Sequence, residues 1–241
     1  MSSFLSRFGT GMNLTLSPDE MAVIKLSYQI ASVSLLVNLL PAIAMGWLLA
    51  RKDFFGKSLF ETLVFLPLVL PPVVPGYILL VLFGNQGVIG QYLSQLGLDL
   101  AFNWKGAVLA SAVMGFPLMV QSVRLAIELV DKRLELTAMS LGASRLQAFF
   151  QITLPLAGAG IVIGAILSFC RSLGEFGATI TFVGNISGET RTLPLAIYSL
   201  LQQPDSDAQI MRLLMLSVGV AFSALWLSQW YARYQKRRLA Q

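Results

Sequence analysis

The sequence predicts an all-α integral membrane protein with about five transmembrane helices and one polar helical segment between two of them. Two observations carry that expectation. The 241 residues are 56% hydrophobic and only 12% charged, against about 25% charged in an average soluble domain. Five apolar runs, at 25–50, 58–83, 106–129, 156–183 and 208–231, are each long enough to cross a hydrocarbon core, which takes about 20 helical residues. Helices are the form that fits, because an open sheet leaves backbone groups unpaired in lipid and no run alternates like a barrel strand.

The remaining composition excludes several classes. A net charge of +5 and a pI near 9.6 would suit a nucleic-acid binder, but in a chain this apolar basic residues act as orientation signals and no nucleic-acid partner is expected. With no His and a single Cys170 inside an apolar run, a disulfide framework and a clustered thiolate or imidazole metal site are both excluded. Gly56-Lys57-Ser58 imitates the end of a phosphate-binding loop, but Arg51 stands where its first glycine is required, and the segment opens a membrane span. The chain is expected to carry no cofactor and to be no enzyme.

Taken in order, residues 1–24 form an N-terminal segment that lacks the pattern of a cleaved signal peptide. Ser17, Pro18 and Glu20 make a capping-box start for the first helix, so it begins before the bilayer. The second span holds Pro67, Pro71, Pro72, Pro75 and Gly76, and each proline removes a backbone donor, so this helix must kink or break near mid-membrane. A packing kink and broken backbone lining a polar path are both open there. The third span is regular.

Residues 130–155 then turn polar without becoming a linker: 134–140 and 144–151 read as helices, Gly142 as the turn between them, and Pro155 as the start of the next span. Leu141, Leu146, Phe149 and Phe150 are expected to pack this element onto the span ends. The fourth span, at about 28 residues, is too long for a straight crossing. It carries Arg171 and Glu175 four apart on one face, where a charge near the bilayer centre costs at least about 2.5 to 3.5 kcal/mol and demands a partner. Two roles stay open: an ion pair that holds helices in register, or positive potential on an anion path with Glu175 holding Arg171 in place. Gly174 and Gly177 would permit close approach. The fifth span ends in a basic tail, 233–241, which closes a permease domain covering 25–232.

An odd number of spans puts the ends on opposite sides. Arg51, Lys52, Lys57, Lys132, Arg133, Arg145, Arg233, Lys236, Arg237 and Arg238 fall on one side, ten against the five of Arg7, Lys25, Lys105, Arg191 and Arg212. The richer side is expected to be cytoplasmic, with the N-terminus periplasmic.

Two stretches resemble a known family. Gly142, nine intervening residues and Ile152-Thr153-Leu154-Pro155, with Glu135 and Ala138 upstream, resemble the cytoplasmic coupling loop of binding-protein-dependent ABC importer permeases; Thr137 departs from the usual Ala. This implies the type I ABC importer permease fold and a mechanical joint in which Glu135, Ala138, Met139, Gly142, Ala143 and Arg145 meet a partner ATPase that holds the ATP and magnesium. Arg171 to Pro194, with Leu70-Pro71-Pro72 and Gly76-Tyr77, is similar to the molybdate group of these permeases, over roughly residues 17 to 235. The likeness implies a multi-pass homodimer in the bacterial inner membrane, two cytoplasmic ATPase subunits and a periplasmic molybdate-binding protein, importing molybdate, or tungstate. Ser168, Arg171, Glu175, Thr179, Thr181 and Asn185 are the expected path residues. A sulfate or thiosulfate permease and a gradient-driven secondary transporter are the rivals, although the sequence shows no internal repeat of the secondary-transporter kind.

Overall fold

The structure, a computed structural model, describes residues 16–204 and 206–239. Those residues are all helix, turn and loop, with no strand among them.

Helix α1 (Pro18–Arg51) starts at the capping box the sequence announces: the Ser17 side chain accepts from the Glu20 N–H, and the Glu20 carboxylate accepts from the Ser17 N–H. Its 34 residues span about 51 Å at 1.5 Å per residue, well beyond a bilayer core, which fits a start outside it. Next come α2 (Lys57–Val69) and α3 (Val73–Phe83), bent by 111° at the Pro71-Pro72 step. The proline-rich span is therefore two short helices rather than one kinked rod, because consecutive prolines remove two adjacent donors and crowd the preceding turn. A short α4 (Gly90–Gln95) interrupts the following loop, and α5 (Trp104–Glu128) opens on an Asn103 cap.

The polar segment folds as α6 (Lys132–Ser140), a turn at Gly142 with φ +97°, and α7 (Arg145–Ala148). Ser144 and Gln147 form a second capping box. Pro155 stands in the first turn of α8, as the sequence leads one to expect, but that helix is not separated from the polar segment. The chain runs from α7 through a π-helical turn, Phe149–Thr153, directly into α8 (Leu154–Leu173). Pro155 has no N–H and its ring crowds the carbonyl four residues back, and a widened turn ahead of it relieves both. After Gly174 the fourth apolar run breaks, resuming as α9 (Gly177–Val183); α10 (Leu193–Leu200) and α11 (Asp207–Leu239) complete the chain.

Among the described residues four helices are long and apolar enough to cross a membrane, and the bent α2–α3 pair makes a fifth when counted as one span. Helices α1, α5 and α8 pack together at the centre. One cluster, including Ile30, Leu79, Met114, Ala178 and Phe182, joins α1, α3, α5 and α9. A second, including Ala42, Leu49, Met119, Val123 and Ala157, joins α1, α5 and α8 nearer the polar segment. By contrast α2 buries no residue and the apolar part of α11 is 6% buried. Most of their outward side chains are apolar, as a lipid or protein neighbour requires.

Candidate coupling and translocation sites

The polar segment is tied to the bundle by one carboxylate. Glu135 Oε1 accepts from Arg51 Nε at 3.0 Å, from Arg51 Nη2 at 2.8 Å and from the Thr153 hydroxyl at 2.6 Å. Arg51 Nη2 also donates to the Val130 carbonyl at 2.9 Å. The Arg51 side chain is 6% exposed and Thr153 is fully buried, so this knot sits where the ends of α1 and α5, the start of α6 and the π turn converge. A two-nitrogen contact of this kind fixes orientation as well as distance. Sequence reasoning singled out Glu135 but not Arg51 or Thr153, whose only signal was their position at two span ends.

Around the knot the expected coupling residues divide. Ala138, Met139 and Ala143 are half-buried, with the Ala143 N–H donating to the Ala138 carbonyl at 3.0 Å, while Gly142 and Arg145 are exposed. Thr137 fits its helix by donating to the Arg133 carbonyl. Of the four apolar residues expected to pack this element down, only Phe149 does, edge-on to Trp47. Leu141 is 84% exposed, Leu146 71% and Phe150 59%. Nearby, Lys57 donates to Asp53 at 3.0 Å, and that hydrogen bond holds the Asp53 carboxyl below its ordinary value.

Deeper in the bundle the two broken helices meet. A Cβ on Gly177 would lie 2.6 Å from Pro72 Cβ, and one on Gly76 would lie 2.7 Å from the Ala178 carbonyl oxygen. Only glycine permits so close a crossing. At this crossing Arg171 pairs with Glu175, whose other oxygen accepts the Ala178 N–H at 2.8 Å. Glu175 is buried, whereas the Arg171 side chain is 26% exposed. Thr181 and Asn185 are half-buried. Thr181 donates to the Gly177 carbonyl; Asn185 donates to Ser199 and accepts from Arg191 Nε.

Ser168 and Thr179 lie deeper in the bundle. Both are buried inside the protomer, with hydroxyls that find no hydrogen-bond partner. A Cβ on Gly115 of α5 would lie 2.7 Å from the Ser168 hydroxyl. In the same interior the structure adds residues the sequence did not flag: Ser34 donates to Ser172 at 3.0 Å and Asn38 to the Ala112 carbonyl at 2.8 Å. At the far end Glu20 accepts from Arg212 Nη2 at 2.9 Å, beside a cavity of about 340 Å³ lined in part by Arg191, Gln203 and Gln209.

The family model of the binding-protein-dependent transport system inner membrane component matches residues 42–240. The chain belongs to this permease family. The permease is 52% identical over 223 residues to the molybdenum transport system permease protein ModB of Haemophilus influenzae, covering 92% of this chain and 97% of that protein. It is 50% identical over 226 residues to ModB of Escherichia coli K12, covering 93% and 99%. Among solved structures, a bacterial ABC transporter that imports the acidic polysaccharide alginate superposes with a TM-score of 0.71 at 21% identity, over 100% of the permease and 84% of that chain. The fold of the permease is thus that of ABC importer membrane subunits. It is an inner membrane transport component with several spanning helices.

Proposed function

We propose that the chain is the membrane subunit of an ATP-driven importer of molybdate or tungstate, working as a homodimer. Two cytoplasmic ATPase subunits would supply the energy, and a periplasmic binding protein the oxyanion. The observation that carries this reading is the half-identity, over nearly the full length of both chains, to two proteins named as molybdenum transport permeases.

The geometry supplies a mechanical rationale. Leu141, Leu146 and Phe150 present an uncovered apolar face beside Gly142, suited to seating in a cleft of a soluble ATPase. Glu135 links that element to α1 through Arg51 and to the start of α8 through Thr153. A push on α6 and α7 would therefore reach two spans directly rather than flexing a loop. ATP-driven closure of the partners would then alternate outward and inward openings between two copies. Glu175 balances most of the charge of Arg171, which leaves a weak positive contact. Release demands such weakness, because a tightly held dianion would not leave. Ser168, Arg171, Thr179, Thr181 and Asn185 are the proposed contacts, with Glu175 positioning Arg171.

Uptake of labelled molybdate by cells carrying the permease and its partners tests this. Tungstate is expected to compete near equimolar concentration and sulfate only in large excess; equal competition by sulfate overturns the substrate. In the same assay Gly142→Asp places a side chain at φ +97° with nothing within 4 Å of its Cβ, so it strains the turn without a clash. Uptake is expected to collapse with the protein still folded, and normal uptake would remove the joint.

A further inference from the structure

The half-buried amide of Asn185 is held from both sides, and the chemistry of its two holders fixes which way it points. Arg191 Nε, which can only donate, stands 3.0 Å from one end of the amide, so that end is the carbonyl oxygen. Ser199 Oγ stands 2.7 Å from the other end. The single proton of Ser199 goes to the Leu195 carbonyl at 2.9 Å, so towards Asn185 its oxygen accepts and that end is the NH2 group. A flipped amide would set N–H against N–H at Arg191 and cost the Leu195 carbonyl its hydroxyl donor. One N–H of Asn185 is left over, and it is fixed as a donor.

Arg191 brings charge to the same place. Its side chain forms no ion pair among the described residues, because Glu189, two residues back, accepts instead from the Trp104 N–H at 3.4 Å. Arg191 and Ser199 both line the cavity of about 340 Å³ at this end of the bundle. Two carboxylates, Asp19 and Glu20, line it as well, and Glu20 is bound by Arg212. A half-buried guanidinium whose partner is a neutral amide keeps its full charge for a ligand, and a fully deprotonated tetrahedral oxyanion offers acceptors only.

We propose that Ser199 and Arg191 are positioning residues for the oxyanion contact at Asn185: they lock its amide so that an N–H, never the carbonyl, meets an oxygen of the passing solute. Ser199 acts only through Asn185, whereas Arg191 also lends its charge. The proposal rests on the cargo being an oxyanion and on Asn185 touching it, as the proposed function has it, and deepens that reading by naming what sets the polarity of the contact.

Uptake of labelled molybdate by cells carrying the permease and its partners, together with the Tm of each purified permease variant, tests this. Asn185→Asp is the deciding change. It keeps the side-chain shape, and its carboxylate pairs with Arg191 and accepts the Ser199 proton, so the Tm is expected to hold or rise. Every edge it turns to a solute is an acceptor with negative charge, so uptake is expected to fall about tenfold or more. Full uptake by Asn185→Asp would make the residue a structural strut and overturn the proposal. Ser199→Ala frees one end of the amide and is expected to lower uptake about fivefold, the worth of one hydrogen bond, while adding nothing in an Asn185→Ala background. The same loss in both backgrounds would show that Ser199 acts other than through Asn185, and overturns it too. If the unaltered transporter takes up no molybdate, the substrate reading falls first and this proposal with it, whereas normal uptake by the unaltered transporter and by Asn185→Asp alike sinks this proposal alone.

Discussion

Glu135 shows how a side chain singled out for a contact outside the chain can also be tied within it. Its place in the polar segment suggests a surface contact, but its carboxylate accepts three hydrogen bonds from the chain's own Arg51 and Thr153. Glu135→Ala strands a buried guanidinium and a buried hydroxyl, and breaking such a pair costs about 3 kcal/mol. The apparent Tm in detergent is expected to fall clearly for Glu135→Ala and less for Glu135→Gln, whose amide oxygen still accepts. A Tm unchanged in both variants would show that the knot holds nothing. Arg171 poses the converse question, since its pairing with Glu175 satisfies a structural role while a quarter of its side chain stays exposed. Arg171→Lys and Arg171→Gln are both expected to assemble, with uptake lost in the glutamine variant and partly kept in the lysine variant. Failure of both to assemble would leave the pair as a device for helix register alone.

At the scale of elements, the two irregular spans were legible separately but not as neighbours. Pro71-Pro72 and Gly174 each announce a break, because a missing donor and a missing side chain act locally. Nothing local says that the breaks cross. The contact of Gly177 with Pro72 and of Gly76 with Ala178 arises only when α3 and α9 pack. Gly177→Ala is expected to destabilise by about 1 to 3 kcal/mol through overpacking, read as a lower Tm. Gly158→Ala, where nothing lies within 4 Å of the new Cβ, should leave the Tm level or raise it, as alanine favours helix. If the two variants melt alike, the crossing is looser than these distances require. The π turn was the least legible element: residues 149–153 carry no signal apart from the Pro155 that comes after them. Its cause is a conflict between continuing a helix and accommodating a proline inside it.

Across the whole molecule, the distribution of apolar surface inverts that of a soluble protein. Leu36, Leu40, Val69, Val218 and Phe222 are all more than half exposed, while Ser34, Asn38, Ser172 and Glu175 are buried. With lipid as the solvent, an exposed leucine costs nothing and a polar group must find its partners inside. Orientation comes from charge, ten basic residues against five on the two sides of the predicted spans. An alkaline phosphatase fusion at residue 95 is therefore expected to be active and one at residue 140 inactive. The reverse pattern would invert the topology.

Composition, run length and charge asymmetry by themselves determined the membrane class, the helical form, the approximate spans and the existence of a structured polar segment near Gly142. Each of these depends on single residues or on residues a few positions apart. Only the tertiary structure decided which polar side chains meet. Arg51 and Glu135 are 84 residues apart and Glu20 and Arg212 are 192 apart. The reason is that a helix facing lipid on one side and protein on the other is apolar all round. Its sequence then carries no period that tells the buried face from the exposed one, and the packing of neighbouring helices makes that choice.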